Sequence, residues 1–336
     1  MRRSILDPSL CARCRDLVWE TPGTHPARMV RYDPSTHVGP FRAGDGEGCS
    51  GYRWFPRRSV LAIDDAFIQL LPKNPRVKAI AEQLLGVGEV AEVNQSSGVY
   101  GTLPMGALPK QPQTCHIDSW LDYRQRLSCV AYIDDVKPHG GSFMVWPGSH
   151  RKCHAFLTTE ACRSRNGYGQ PPKQQKNLSG GPDHRPTWAA GMERAHRWCM
   201  ENIVPVDTWA PAGTVVFYHA RLAHHASGNY SDRIRQAVLI SFSKTVEALP
   251  DEECLEHART NSIWREWSQL VRESPIAGGE TEDDRHWTEQ ADHHAQGLTF
   301  TETGFMPLRS GSTSRSGVEP ASISGEPEPG RRRHRL

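Results

Sequence analysis

Five short apolar runs set the strongest limit on how this chain can fold. They occupy residues 89–102, 127–136, 142–146, 214–218 and 234–243. The last alternates Ala237, Leu239 and Ser241 with Val238, Ile240 and Phe242, the period-two pattern of a strand. Gly- and Pro-bearing turns stand between the runs: Gly140-Gly141, Pro147-Gly148 and Pro211-Ala212-Gly213. Parallel strands need long crossovers, usually helical, whereas antiparallel strands close through turns. The expectation is a mainly β protein, an antiparallel sandwich or barrel, with no helices between its strands.

The flanks read differently. Residues 9–20 carry Leu10, Ala12, Leu17, Val18 and Trp19 in an amphipathic helical pattern. Residues 21–59, rich in Pro, Gly, Arg and Asp, read as an extended arm. Helix is expected at 74–85, where Pro75 suits a first turn, Val77, Ile80, Ala81, Leu84 and Leu85 share one face, and Gly86 and Gly88 stop it. Residues 151–200 interrupt the strands with nine Lys or Arg against three Asp or Glu, a net of +6. An unpatterned stretch of that length inside a domain suggests a lid or an ordered insertion. Helices return at about 249–273, with Leu255, Ile263, Trp264, Trp267, Leu270 and Val271 at helical steps. Residues 306–336 are Ser, Gly, Pro, Glu and Arg with almost nothing to bury and are expected to be disordered. The organisation that follows is an arm over 1–59, one main domain over 60–305, and a tail.

The totals exclude several classes. Net charge is +2 and mean hydropathy −0.60; nucleic acid is not an expected partner, and no apolar run reaches the 18 residues of a membrane span. The first residues, Met1 to Pro8, lack the apolar segment of a signal peptide. Nine scattered Cys, an odd number, suit free thiols in a reducing compartment, hence a cytoplasmic protein. Cys11 and Cys14 form a lone CxxC without the second pair a zinc site needs. Oligomeric state is not legible.

His116-Ile117-Asp118 is the stretch that carries chemistry. In an extended segment residues two apart point to one side, so His116 and Asp118 can bind one metal at adjacent positions. A third His from a distant strand would complete a two-His-one-carboxylate set with positions left open, as in non-haem Fe(II) oxygenases. The candidates are His219, His224 and His225. Arg233 or Arg235, on the following strand, could grip the far carboxylate of a co-substrate, since guanidinium and carboxylate pair through two parallel hydrogen bonds.

Several separated motifs, in order, then resemble one family. They are Thr114-Cys115-His116-Ile117-Asp118, the run Val130 to Val136, the segment from Gly140-Gly141-Ser142 to Ser149-His150-Arg151, and His224-His225-Ala226-Ser227-Gly228-Asn229 with Arg235-Gln236-Ala237. Together they look like the phytanoyl-CoA dioxygenase family of Fe(II)/2-oxoglutarate oxygenases, from about Gly98 to Phe242. The resemblance implies a double-stranded β-helix (jelly-roll) with flanking N- and C-terminal helices. It implies iron on His116, Asp118 and His224, the last chosen by its spacing from Asn229, with His225 as the alternative. It also implies 2-oxoglutarate chelating the iron with its far carboxylate on Arg235, and O2 as oxidant. His219 is then structural, and Pro147-Gly148-Ser149-His150 a turn. Two positions depart from the family. Ala226 stands where a hydroxyl often holds the co-substrate, and Val130 where an aromatic is common. Thr102 and Tyr100 are candidates to supply the missing contact.

The expected reaction is hydroxylation of an unactivated C–H of a small molecule, with succinate and CO2 formed. Asp118 argues against the related halogenases, which lack that carboxylate. The charge of 151–200, including Lys173 and Lys176, favours an anionic substrate, with a carboxylate or thioester among the candidates. The rival readings are a jelly-roll metal protein of other chemistry, such as a cupin-type hydrolase or isomerase, and a non-catalytic binding protein.

Overall fold

The computed structural model describes residues 1–42, 44–45, 48–56, 58–106, 114–117, 127–163, 187–245, 263–264 and 267–274; the side chains of 58, 157–163 and 187–192 lie outside that description. Strands β1 (Cys49–Ser50), β2 (Arg53–Trp54), β3 (Val99–Thr102), β4 (Leu127–Tyr132), β5 (Phe143–Val145), β6 (Val206–Asp207), β7 (Val215–His219), β8 (His224–Ala226) and β9 (Arg235–Phe242) form two antiparallel sheets. The larger has the order β1-β2-β3-β9-β4-β7 and the smaller β6-β5-β8. His116 pairs with His224 at the free edge of β8.

Followed along the chain, the path runs β3 in the large sheet, His116 in the small, β4 in the large, β5 and β6 in the small, β7 in the large, β8 in the small, β9 in the large. That repeated crossing between two facing sheets is a double-stranded β-helix, the jelly-roll expected from the sequence. Between the sheets lie Val130, Tyr132, Phe143, Val216, Tyr218 and Ala237. Each fully buried side chain of this size contributes roughly 1.5–3 kcal/mol.

The outer face of the large sheet is covered by α1 (Pro8–Glu20), α3 (Asp65–Leu70) and α4 (Pro75–Leu85); α2 (Arg58–Leu61) precedes α3. The first helix starts where Asp7 accepts from the Ser9 and Leu10 amides, an N-cap one residue earlier than the apolar pattern suggests. Asn74 caps α4 through the Arg76 and Val77 amides, and Gly86 ends it at φ 136°, a conformation that favours glycine. Val77, Ala81 and Leu85 turn one face into the core. The lone CxxC is part of this packing: Cys11 and Cys14 are buried in α1, and burial pushes the Cys11 thiol up to about 11. All seven cysteines among those described are free and buried.

Three expectations change. The arm is not merely extended: β1 and β2 add two strands to the large sheet, and a short 3-10 helix occupies Pro34–His37. The apolar run at 89–102 becomes a strand only at Val99–Thr102, with Val90 bridging Lys244 alone. Helices do enter between strands: α5 (Ser149–Arg163) and α6 (Thr187–Asn202) bound the basic insertion, so Pro147-Gly148 leads into a helix rather than a simple turn. They close on the small sheet's outer face through Cys153, Ala195 and Cys199, against Cys115, Ile117, Met144 and Trp146. Small residues at the crossing let the helices approach closely, which hydrophobic counting along the sequence undervalues. Near the C-terminal end, α7 (Gln269–Arg272) and the residues Ile263, Trp264 and Trp267 pack on the core. The remainder of the expected 249–273 helices, Lys173, Lys176 and the 306–336 tail lie outside the described residues. Among the described residues no helix is long and apolar enough to cross a membrane.

Candidate metal centre

Strand register decides which side chains share the space between the sheets, because directly opposite residues in an antiparallel pair project to the same side. Phe143 pairs with Ala226 and Val145 with His224. Phe143 faces the inter-sheet core with Val145 packed against it, so His224 and Ala226 face it too. His116 is hydrogen-bonded to His224 in both directions, N to O at 2.9 Å each way, so its side chain joins the same face. The two imidazoles lie with ring centroids 4.4 Å apart. His116 is exposed at the mouth, and His224 is buried against Tyr218 and Phe143.

The neighbouring His225 is built differently. Its Nε2 lies 2.7 Å from the Arg53 guanidinium, which has only donors, so Nε2 accepts and Nδ1 carries the proton. Nδ1 then donates to the Ala226 carbonyl at 2.7 Å. Both ring nitrogens are thereby engaged. Burial, followed by the neighbouring Arg53 charge among lesser causes, drives the His225 pKa down to about 4, so the ring is neutral. In His224, Nδ1 donates to the Leu222 carbonyl at 2.8 Å, which leaves Nε2 as the basic nitrogen. That is the arrangement by which a backbone acceptor orients a metal-binding imidazole.

Arg235 lies on the same inner face, since it is two residues from Ala237 on β9. Its Nε donates to the Gly141 carbonyl at 2.6 Å and Nη1 to the Tyr100 carbonyl at 3.1 Å. It is 6% exposed, and no carboxylate among the described residues pairs with it. Burial lowers its pKa. Thr102 is its register partner on β3 and Tyr100 that of Ala237, so both flank the guanidinium. Thr102 is buried; Tyr100 is half-buried and packs edge-on to Phe55 at 4.8 Å. Tyr132 sits beside Arg235 with its hydroxyl taken by Thr208 at 2.9 Å and the Phe143 amide at 2.8 Å. Val130 and Ala226 both face the same interior.

Asn229 holds this half of the molecule together. Its amide donates to the Thr102 and Arg233 carbonyls at 2.8 and 2.7 Å, and its oxygen accepts from the Ser231 amide and hydroxyl. The turn after β8 is thereby tied to β3 and to the start of β9.

Of the residues singled out in the sequence, His116, His224, Arg235, Thr102 and Tyr100 come together on one inner face. His219 does not. Its Nδ1 accepts from the Arg221 amide, its Nε2 lies 3.2 Å from the Ile263 carbonyl, and its ring stacks on Trp267. His150 packs against it and Trp264. Asp118 lies outside the described residues. Three contributors escaped the sequence reading. The Leu222 and Gly141 carbonyls act through backbone, which leaves no side-chain signal, although Gly140-Gly141 marked the place. Arg53 lies far along the chain and reaches the centre only through strand pairing. A cleft of about 230 Å³ opens beside the centre, lined by Cys115, His116, Ile117, Glu193, His196 and Ala223.

The arrangement suits a cation held by imidazoles with an anion on a buried guanidinium beside it. A family model described as Phytanoyl-CoA dioxygenase (PhyH) matches residues 51–237, more than half of the 336. Ectoine dioxygenase of Stutzerimonas stutzeri (strain A1501) is 25% identical over 147 residues, 44% of each chain, so the match spans less than half of that relative. Among solved structures, the epimerase SnoN in complex with Fe3+, alpha ketoglutarate and nogalamycin RO is 18% identical, covering 72% of this chain and 77% of that one at a TM-score of 0.37. HygX from Streptomyces hygroscopicus with nickel and 2-oxoglutarate bound is 12% identical, covering 73% and 81% at a TM-score of 0.37. The jelly-roll is shown by the chain's own strand order.

Proposed function

Because this chain belongs to the phytanoyl-CoA dioxygenase (PhyH) family, we propose that it is an Fe(II)- and 2-oxoglutarate-dependent oxygenase that hydroxylates a C–H bond of a small molecule. The observation that carries this reading is Arg235. A guanidinium buried at the strand interface without a carboxylate partner among the described residues is costly unless an anion completes it. It shares its face with two imidazoles, so an anion bound there would lie beside a metal that they would hold.

In this reading His116 and His224 would hold Fe(II), with Asp118 as the third ligand that the His-x-Asp spacing supplies. His224 is preferred to His225, whose two ring nitrogens are already hydrogen-bonded. Imidazole and carboxylate ligands suit Fe(II) and leave positions open. The bound metal and 2-oxoglutarate supply the oxidising chemistry, releasing succinate and CO2. The chain's own share is placement. Leu222 fixes the tautomer of His224. Arg235 takes the far carboxylate of 2-oxoglutarate, and the Gly141 and Tyr100 carbonyls fix the plane of its guanidinium. Tyr100 and Thr102 line the co-substrate's side of the pocket. Val130, Phe143, Val216 and Tyr218 keep water from it, so charge pairing there is stronger than in solvent.

The test is anaerobic addition of Fe(II) and 2-oxoglutarate, read by the metal-to-ligand absorption band, followed by succinate formation in air. His224→Ala should lose the band, and His225→Ala should keep it. Absence of both band and succinate with the wild-type chain refutes the proposal and favours the cupin-type alternative.

A further inference from the structure

Arg53 is a second guanidinium at the same centre, and holding His225 uses only one of its N–H groups. It stands opposite Thr102, which stands opposite Arg235. The three therefore form one row across β2, β3 and β9 on a single face of the sheet. The next residue, Trp54, confirms the orientation, because its ring packs under Gly101 on the opposite, helix-covered face. A Cβ on Gly101 would come within 2.9 Å of that ring. Arg235 is at the buried end of the row and Arg53 at its exposed end.

The Arg53 guanidinium donates to His225 Nε2 at 2.7 Å, and the His225 ring is 5.6 Å from that of His116. Arg53 is thus held at the mouth of the centre, one imidazole away from a proposed iron ligand. A neutral imidazole orients a guanidinium without neutralising it. No carboxylate among the described residues pairs with Arg53. Its remaining N–H groups keep the fork geometry that matches a carboxylate. An exposed arginine is ordinarily free to wander; this one is fixed by a hydrogen bond whose other partner is itself pinned to the Ala226 carbonyl.

We infer that Arg53, held by His225, anchors a carboxylate of the prime substrate at the mouth of the metal centre. The inference rests on the oxygenase reading above and deepens it, since it names the substrate class as small carboxylic acids. Two arginines in one row divide the work. The buried Arg235 takes the co-substrate's carboxylate, and the solvent-facing Arg53 takes that of the molecule that enters afterwards. The separation also keeps the substrate acid from competing for Arg235, which lies beneath the co-substrate.

The experiment uses the full chain loaded with Ni(II) and 2-oxoglutarate, which binds without turnover. The probes are matched acids and primary amides: hexanoate with hexanamide, phenylacetate with phenylacetamide, and N-acetyl-L-proline with its amide. Calorimetric titration is expected to show at least one acid binding tenfold or more tightly than its amide. Arg53→Gln should abolish that preference by weakening the acid at least tenfold while leaving the amide unchanged. The Fe(II)-loaded wild-type chain should form succinate faster with the preferred acid than with its amide. Arg53→Lys keeps the charge and loses the fork, so it should show an intermediate loss; it serves if Arg53→Gln fails to fold by circular dichroism. Overturning results are a panel in which no acid outperforms its amide, or an acid preference that survives Arg53→Gln. The Fe(II)/2-oxoglutarate band of the wild-type chain is read first. Its absence refutes the oxygenase reading, whereas its presence with no acid preference overturns the Arg53 assignment alone.

Discussion

Arg235→Gln separates the cost of a buried charge from its use. The native guanidinium is 6% exposed and makes two hydrogen bonds, to Gly141 and Tyr100. Without an anion it carries a desolvation penalty that those two carbonyls offset only in part. Glutamine keeps a donor for one carbonyl and removes the charge, so the unliganded chain should change stability by less than about 2 kcal/mol. The co-substrate tells the opposite story. Truncating one partner of a buried charge pair costs about 2–5 kcal/mol, which at about 1.4 kcal/mol per decade weakens 2-oxoglutarate by roughly 30- to 4,000-fold. Thermal unfolding of the Ni(II)-loaded chain with and without 2-oxoglutarate reads both effects. At a ligand concentration of about 100 times the wild-type Kd, the wild type gains about 2.7 kcal/mol. A variant weakened about 100-fold gains only about 0.4 kcal/mol at the same concentration. Equal stabilisation of wild type and Arg235→Gln by 2-oxoglutarate would refute the assignment of that carboxylate to Arg235.

Other outcomes follow from the packing. Asn229→Ala leaves the buried Thr102 carbonyl without its donor and should cost about 1–3 kcal/mol, read as a lowered urea midpoint; an unchanged midpoint would show that water replaces the amide. Gly101→Val drives a side chain into Trp54 and should cost about 1–3 kcal/mol by the same measurement. His219 is held neutral by burial, with its pKa well below the usual imidazole value, while His25 and His37 are shifted the same way by burial. These histidines therefore bind more protons in the unfolded chain below about pH 6.5, whereas Asp134, pushed up to about 6 by burial, acts in the opposite direction. The histidine contribution should be full above that pH and fall as pH drops, by up to about 1.4 kcal/mol per unit for the fully buried His219. Urea unfolding at pH 7.5 and 5.5 of the wild type and of His219→Asn checks the sign: the wild type should lose more stability on acidification, and equal losses would contradict it.

Period-two apolar runs and Gly/Pro turns were enough to announce an antiparallel β protein, because strand alternation and turn chemistry are local properties. The Pro75 and Gly86 limits of α4 were legible for the same reason. His116 and the candidate sets His219, His224, His225 and Arg233, Arg235 were legible because residue type and spacing survive in one dimension; the choice of His224 and Arg235 came from the family resemblance. The arm's two strands were not legible, since β1 and β2 are two residues each and exist only by pairing onto β3. Nor was the helical pair α5 and α6, whose contact is made by small residues such as Cys153, Ala195 and Cys199 that barely register as an apolar face.

What the sequence by itself determined was the class of the fold and the inventory of groups that could bind a metal and an acid. What only the tertiary structure decided was how those groups are used. His224 and His225 are neighbours in sequence with the same chemistry, yet strand pairing sends one into the core beside His116 and a hydrogen bond from Arg53, 172 positions away, occupies the other. Register is the physical reason: it is a relation between strands distant in sequence, fixed by which faces are buried together, and no single strand contains it.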